Sequence, residues 1–129
     1  MASPTHLKYT KEHEWIAIEG NIATIGITDH AQNELGEIVY VEVETIGEEI
    51  EKDEVFGTVE AVKTTSDLFM PLSGTVIEFN SGLDESEDDN PALINEDCYG
   101  EGWIIKIEVS EISQVDELMD SEAYEVLIG

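Results

Sequence analysis

The residue whose surroundings point most directly to chemistry is Lys63, one of five basic residues in a 129-residue chain that carries 31 aspartates and glutamates. Glu60 precedes it by three positions and Asp67 follows by four, and nearby negative charge favours the ammonium form of a lysine. A Schiff-base lysine needs desolvation or a cationic neighbour instead. Lys63 is therefore not a self-activated amine, and if it is modified, another enzyme performs the acylation. The plain alternative is a lysine at a strand end that stays hydrated and does nothing more.

Other chemistries lack their residues. His6, His13 and His30 form no H-E-x-x-H pattern or close ligand cluster, and Cys98, the sole cysteine, has no C-x-x-C partner, so no metal site is expected. The lone thiol also excludes an intrachain disulfide and gives no sign of an oxidising compartment. No G-x-S-x-G elbow, phosphate-binding loop or dinucleotide fingerprint is present, which removes the signatures of acyl-serine and nucleotide sites. Asp84, Ser86 and Asp88 run into Asp89 where an EF-hand loop needs glycine, so calcium is not expected. Paired carboxylates arise by chance in so acidic a chain and are weak support for glycosidase-type roles. The expectation is a protein that is not an enzyme.

A formal charge of -26 repels phosphate backbones and anionic lipid surfaces, so nucleic acid and membrane are poor partners. Two accounts of the acidity stand side by side: solubility in a salty cytoplasm, and steering toward basic surfaces on partner enzymes. Met1 to Tyr9 holds neither an apolar signal core nor an arginine, and no run approaches the ~18 apolar residues of a membrane span. The expected location is a bacterial-type cytoplasm, or a mitochondrial matrix had a transit peptide been removed.

The elements that must position Lys63 follow from pattern. The length fits one domain, 1–129. Glu14 to Ile27, broken at Gly20-Asn21, reads as a hairpin. Thr28 and Asp29 can cap a short helix over 29–35 that Gly36 closes. From Ile38 to Val43 the alternation places Val39, Val41 and Val43 on one buried face. Asp53 to Met70 holds only Gly57 as a breaker and would make an overlong strand, several times the usual 5 or 6 residues. The chain must turn inside it, yet Val62-Lys63-Thr64-Thr65 lacks the glycine or asparagine of a tight turn. Such conflicts between local preference and architecture fall at functional sites. Leu72 to Phe79 gives a further strand, Gly82 to Asn90 a solvated acidic loop, Pro91 to Ile94 a helical turn capped by Asn90, and Trp103 to Val109 the last strand. Beyond it the period lengthens: Ile112, Val115, Leu118 and Met119, then Tyr124, Leu127 and Ile128, predict two amphipathic helices over 113–128.

The run from Gly57 to Val76, with Glu60-Ala61-Val62-Lys63-Thr64-Thr65-Ser66-Asp67 at its centre, resembles the lipoyl-lysine segment of the glycine cleavage system H protein family. Leu7 to Trp15, Gly26 to Ala31, Leu35 to Val41, Asn90 to Asn95 and Tyr99 to Ile104 are similar to the family's other signatures in the same order. Biotinyl carriers set their lysine between methionines and oxo-acid dehydrogenase domains commonly use Asp-Lys-Ala, whereas this lysine lies between Val62 and Thr64. The resemblance implies a mainly β fold, a barrel-sandwich hybrid of two small antiparallel sheets with a short internal helix and C-terminal helices, in which residues 55–79 form the lipoyl-lysine hairpin region.

It also implies lipoate in amide linkage to Lys63 and visits to three enzymes. A pyridoxal-phosphate glycine decarboxylase loads an aminomethyl group, a tetrahydrofolate-dependent aminomethyltransferase removes the one-carbon unit and ammonia, and a dihydrolipoyl dehydrogenase reoxidises the dithiol. A lipoate ligase or lipoyl transferase installs the cofactor. Tethering keeps the cargo at about millimolar local concentration. By the same resemblance Glu14 and Asp67 are a carboxylate pair that keeps the cargo amine protonated, and Ile27 and Leu35 form an apolar wall. Glu12 stands where some relatives carry a small hydroxyl residue. A monomer is expected. The alternatives are a lipoyl relay or regulatory homologue that takes no part in glycine breakdown, and an acidic structural domain with an unmodified Lys63.

Overall fold

A computed structural model describes residues 6–84, 87 and 89–128. Met1 to Thr5 and, in the acidic loop, Ser86 and Asp88 of the calcium reading lie outside the described residues. Among those described, the strands are β1 (Lys8–Tyr9), β2 (Glu14–Glu19), β3 (Ile22–Ile27), β4 (Ile38–Glu42), β5 (Glu49–Ile50), β6 (Val55–Ala61), β7 (Thr65–Phe69), β8 (Gly74–Phe79) and β9 (Ile105–Val109). The helices are α1 (Asp29–Leu35), α2 (Leu93–Glu96) and α3 (Ser121–Ile128), with a 3-10 helix at Ile112–Glu117. Six strands join in the order β1-β2-β3-β9-β8-β5 and three in the order β4-β6-β7, every pairing antiparallel. The fold is mainly β, two small antiparallel sheets with few helices, as expected. Among the described residues no helix is long and apolar enough to cross a membrane.

Ile16, Ile25, Ile38, Val59, Met70, Ile105 and their neighbours close a buried core between the sheets. The β2–β3 hairpin runs in register from Glu14↔Ile27 to Glu19↔Ile22, with Gly20 and Asn21 as its turn. Trp15 lies flat over Gly26, its register partner. A Cβ on residue 26 would stand 2.6 Å from the indole nitrogen, which instead donates to the Cys98 carbonyl at 2.8 Å. A second, smaller core gathers Leu7, Tyr9, Trp15 and Tyr124 and so fixes α3 to β1.

Three details of the sequence reading are corrected. Of the expected buried face of β4, Val41 and Val43 are buried but Val39 is not: a register shift between Ile38 and Tyr40 opposite β6 adds a residue to the alternation, as bulges do. Ile38 and Val41 then face the core and Val39 is 45 % exposed. The turn after Pro91 becomes α2 two residues later, and Ala92 begins it with no side-chain cap; Asn90 contributes its carbonyl, which accepts from the Leu93 N–H at 3.1 Å. At the C-terminus the first helix is 3-10, not α, and starts at Ile112. Its residues share no single buried stripe: Val115 and Leu118 meet the main core, Met119 the smaller one, and Ile112 is exposed. On α3, Tyr124 and Ile128 pack inward while Leu127 is exposed.

Candidate functional site

Strands β6 and β7 form the hairpin that the overlong strand requires, with Val62, Lys63 and Thr64 between them. The turn closes by the Ala61 N–H donating to the Thr64 carbonyl at 2.7 Å, and the Val62 N–H donates to the Glu37 carbonyl at 2.9 Å. None of Val62, Lys63 and Thr64 has a left-handed φ, so the turn needs no glycine, and the second bond ties the tip to the α1–β4 junction. Lys63 is exposed there, beside Val62, which is 71 % exposed.

The junction beneath the lysine is held from several sides. Thr28 caps α1 by accepting the Ala31 N–H, and Gly36, at φ 82°, returns its own N–H to the Gln32 carbonyl. The Asn95 carboxamide makes three hydrogen bonds here: Oδ1 accepts the Ile38 N–H at 2.9 Å, and Nδ2 donates to Gln32 Oε1 and to the Gly36 carbonyl, each at 2.9 Å. The stem of Lys63 rests on this fixed segment.

Leu35, immediately before Gly36, lines a cavity of about 150 Å³ whose walls also include Glu14, Ile27, Val59, Asp67 and Leu68. The four cleft residues singled out in the sequence therefore meet in one cavity. Glu12 and His13 border it as well. A larger cavity, about 250 Å³, lies on the other side of Glu14 among Lys11, Lys52 and Met119. It lacks Ile27, Leu35 and Asp67 from its lining, so the smaller one is the candidate cleft.

The two carboxyls differ in kind. Asp67, opposite Thr58 in the hairpin, is exposed. Glu14 is 3 % exposed. Its Oε2 accepts the Phe69 N–H at 3.0 Å and its Oε1 receives the Thr10 hydroxyl at 3.4 Å. Burial pushes the Glu14 carboxyl up to about 8, against the pull of those two hydrogen bonds and with the charges of Glu12 and Asp53 adding to the rise. At neutral pH, without a cationic neighbour, Glu14 is a carboxylic acid rather than half of a charged pair.

Pattern reasoning passed over His13, Asn95 and Tyr124. His13 sits between Glu12 and Glu14 and Asn95 ends the Asn90–Asn95 segment, so both lay within stretches already marked. Tyr124 reaches His13 across 111 positions of sequence, and no local signal announces that.

A small two-sheet β domain with an exposed lysine at a hairpin tip, beside an apolar cleft, is a barrel-sandwich carrier domain. The family model described as Glycine cleavage H-protein matches residues 7–128. The glycine cleavage system H protein of Bacteroides thetaiotaomicron is 52 % identical over 129 residues, covering 100 % of this chain and 99 % of that one. Those of Bacteroides fragilis and Staphylococcus saprophyticus are 51 % and 50 % identical with the same coverage. A crystal structure of a glycine cleavage system H protein from Mycobacterium marinum superposes with a TM-score of 0.84 at 36 % identity, covering 96 % of this chain and 97 % of that one. The chain belongs to the glycine cleavage H-protein family, whose members are lipoate carriers and not enzymes.

Proposed function

We propose that Lys63 bears lipoate in amide linkage and that the whole chain, 1–129, acts as one monomeric carrier domain of glycine cleavage. The observation that carries this reading is the exposed Lys63 amine at the tip of an anchored hairpin. The residues present fit the group: a ligase can reach the amine, and an apolar cleft begins one residue before the glycine that supports its stem. When bound, lipoate supplies a disulfide that accepts an aminomethyl group and two electrons. The partners in this reading are the pyridoxal-phosphate decarboxylase, the tetrahydrofolate-dependent aminomethyltransferase, the dihydrolipoyl dehydrogenase, and the ligase or transferase that lipoylates Lys63. Bacterial relatives support a cytoplasmic setting.

The protein's own part is shelter. Ile27, Leu35, Val59 and Leu68 keep water from the cleft, and Glu14 and Asp67 face a cargo amine from its wall. A neutral amine can expel a thiolate, whereas an ammonium cannot, so stability of the cargo means keeping its nitrogen protonated. Glu14 enters with a proton to give. Its Oε2 accepts the Phe69 N–H at 3.0 Å and its Oε1 only the longer 3.4 Å bond from Thr10, so Oε1 is the oxygen that carries the proton and passes it to the amine. The resulting ammonium then favours the ionised carboxylate.

Intact-mass measurement after expression in a lipoylating host tests the site. Wild type gains the lipoyl mass, Lys63→Arg gains none, and both show the same circular dichroism. Lipoate found on Lys63→Arg would remove the assignment.

A further inference from the structure

We infer that Tyr124, from the C-terminal helix, is a positioning residue of the cleft, fixing the side chains of two of its walls through one phenolic oxygen. The inference rests on the cleft reading above and extends it to a helix that contributes no residue to the cavity lining. One wall is the segment Glu12–Glu14 and the other is α1, which contributes Ala31, Glu34 and Leu35. The Tyr124 hydroxyl stands 2.8 Å from His13 Nδ1 and 2.7 Å from Thr28 Oγ1. His13 belongs to the first wall, at a left-handed φ of 67°. Thr28 is the cap of the second.

Thr28 Oγ1 accepts the Ala31 N–H at 3.2 Å and has one proton to place; in the inferred direction that proton goes to Tyr124, and the tyrosine proton goes to His13 Nδ1. Burial raises the Tyr124 phenol to about 12, so that proton is present throughout the neutral range. In that direction His13 is neutral with its hydrogen on Nε2. In the reverse direction Tyr124 would donate to Thr28, whose own proton would lose this acceptor. The ring itself is fixed separately, fully buried and stacked on Tyr9 with centroids 4.7 Å apart and planes within 8°. Removing the hydroxyl thus frees the side chains of His13 and Thr28, whose backbones stay joined by the Thr28 N–H donating to the His13 carbonyl at 3.0 Å, without removing the packing that holds α3 to β1.

Tyr124→Phe makes that change. In the unlipoylated protein, nitrogen NMR of His13 is expected to show the Nε2–H tautomer in wild type and a mixture in the variant. In lipoylated, loaded protein the aminomethyl group is expected to be lost about fivefold faster, the worth of about one net hydrogen bond. His13→Ala cuts the same chain without touching α3 and should match it, while His13→Gln, which keeps an acceptor, should stay within about twofold of wild type. An unchanged tautomer in Tyr124→Phe overturns the inference. So does an unchanged lifetime when Glu14→Gln shortens it, because the cleft then protects without the Tyr124 hydroxyl. If neither Glu14→Gln nor Tyr124→Phe alters the lifetime, the cleft reading falls and takes this one with it.

Discussion

Lys63 lies across Gly36: a Cβ on residue 36 would stand 3.1 Å from Lys63 Cε and 3.7 Å from Nζ. Gly36 also has φ 82° and ψ -152°, a combination open essentially to glycine alone. Gly36→Ala therefore meets two obstacles, backbone strain and displacement of the lysine stem. The expected result in urea is a loss of about 1–3 kcal/mol of stability, with lipoylation by a ligase slowed several-fold. Equal stability of variant and wild type would show that this segment relaxes freely.

Asn95→Asp keeps the shape of the side chain and reverses one end of its bonding. The atom that donates to Gln32 Oε1 and the Gly36 carbonyl becomes an oxygen facing two oxygens, while the acceptor for the Ile38 N–H survives. Two donations lost in a part-buried site cost about 1–3 kcal/mol, and the midpoint of thermal unfolding should fall accordingly. A midpoint equal to wild type counts against Asn95 as the clamp on this junction.

Glu14 makes stability depend on pH in a direction opposite to that of a salt-bridged carboxylate. Its proton is held to about pH 8 in the folded chain and released near 4.5 once unfolded. Between those values the folded state binds more protons, so the contribution is complete below about 4.5 and is lost as pH rises toward about 8. The slope is about 1 kcal/mol per pH unit. Glu14→Gln removes the titration and keeps the volume. Wild type minus variant, from urea unfolding at several pH values across that window, should fall steadily, and a flat difference would place an ionised Glu14 in the folded protein.

The β2–β3 hairpin, α1 with both its caps, and the need for a reversal within 53–70 were legible because each is written locally, whereas the place of that reversal, at Lys63, came from resemblance. Gly20-Asn21 marks a turn, Thr28 and Gly36 mark the two ends of a helix, and an 18-residue strand demands a reversal. Val39 misled because the bulge between Ile38 and Tyr40 gives the core position to Ile38 and leaves no trace in residue type. The 3-10 helix misled because its apolar residues answer to two separate cores. The four cleft residues came from resemblance, and their meeting in one cavity is a property of the assembled sheets. What no pattern conveyed was that Glu14 is buried, since its position at the start of β2 reads like any other charged strand end.

Backbone bonds clasp the turn beneath Lys63 both to itself and to Glu37, so the mount is held at two points. Whatever is joined to that amine sweeps a volume set by its own length and the lysine's four carbons, pivoting on a still point. Each enzyme that handles the load must bring its reacting centre inside that one fixed radius, which makes the pivot a shared yardstick for partners that need have nothing else in common.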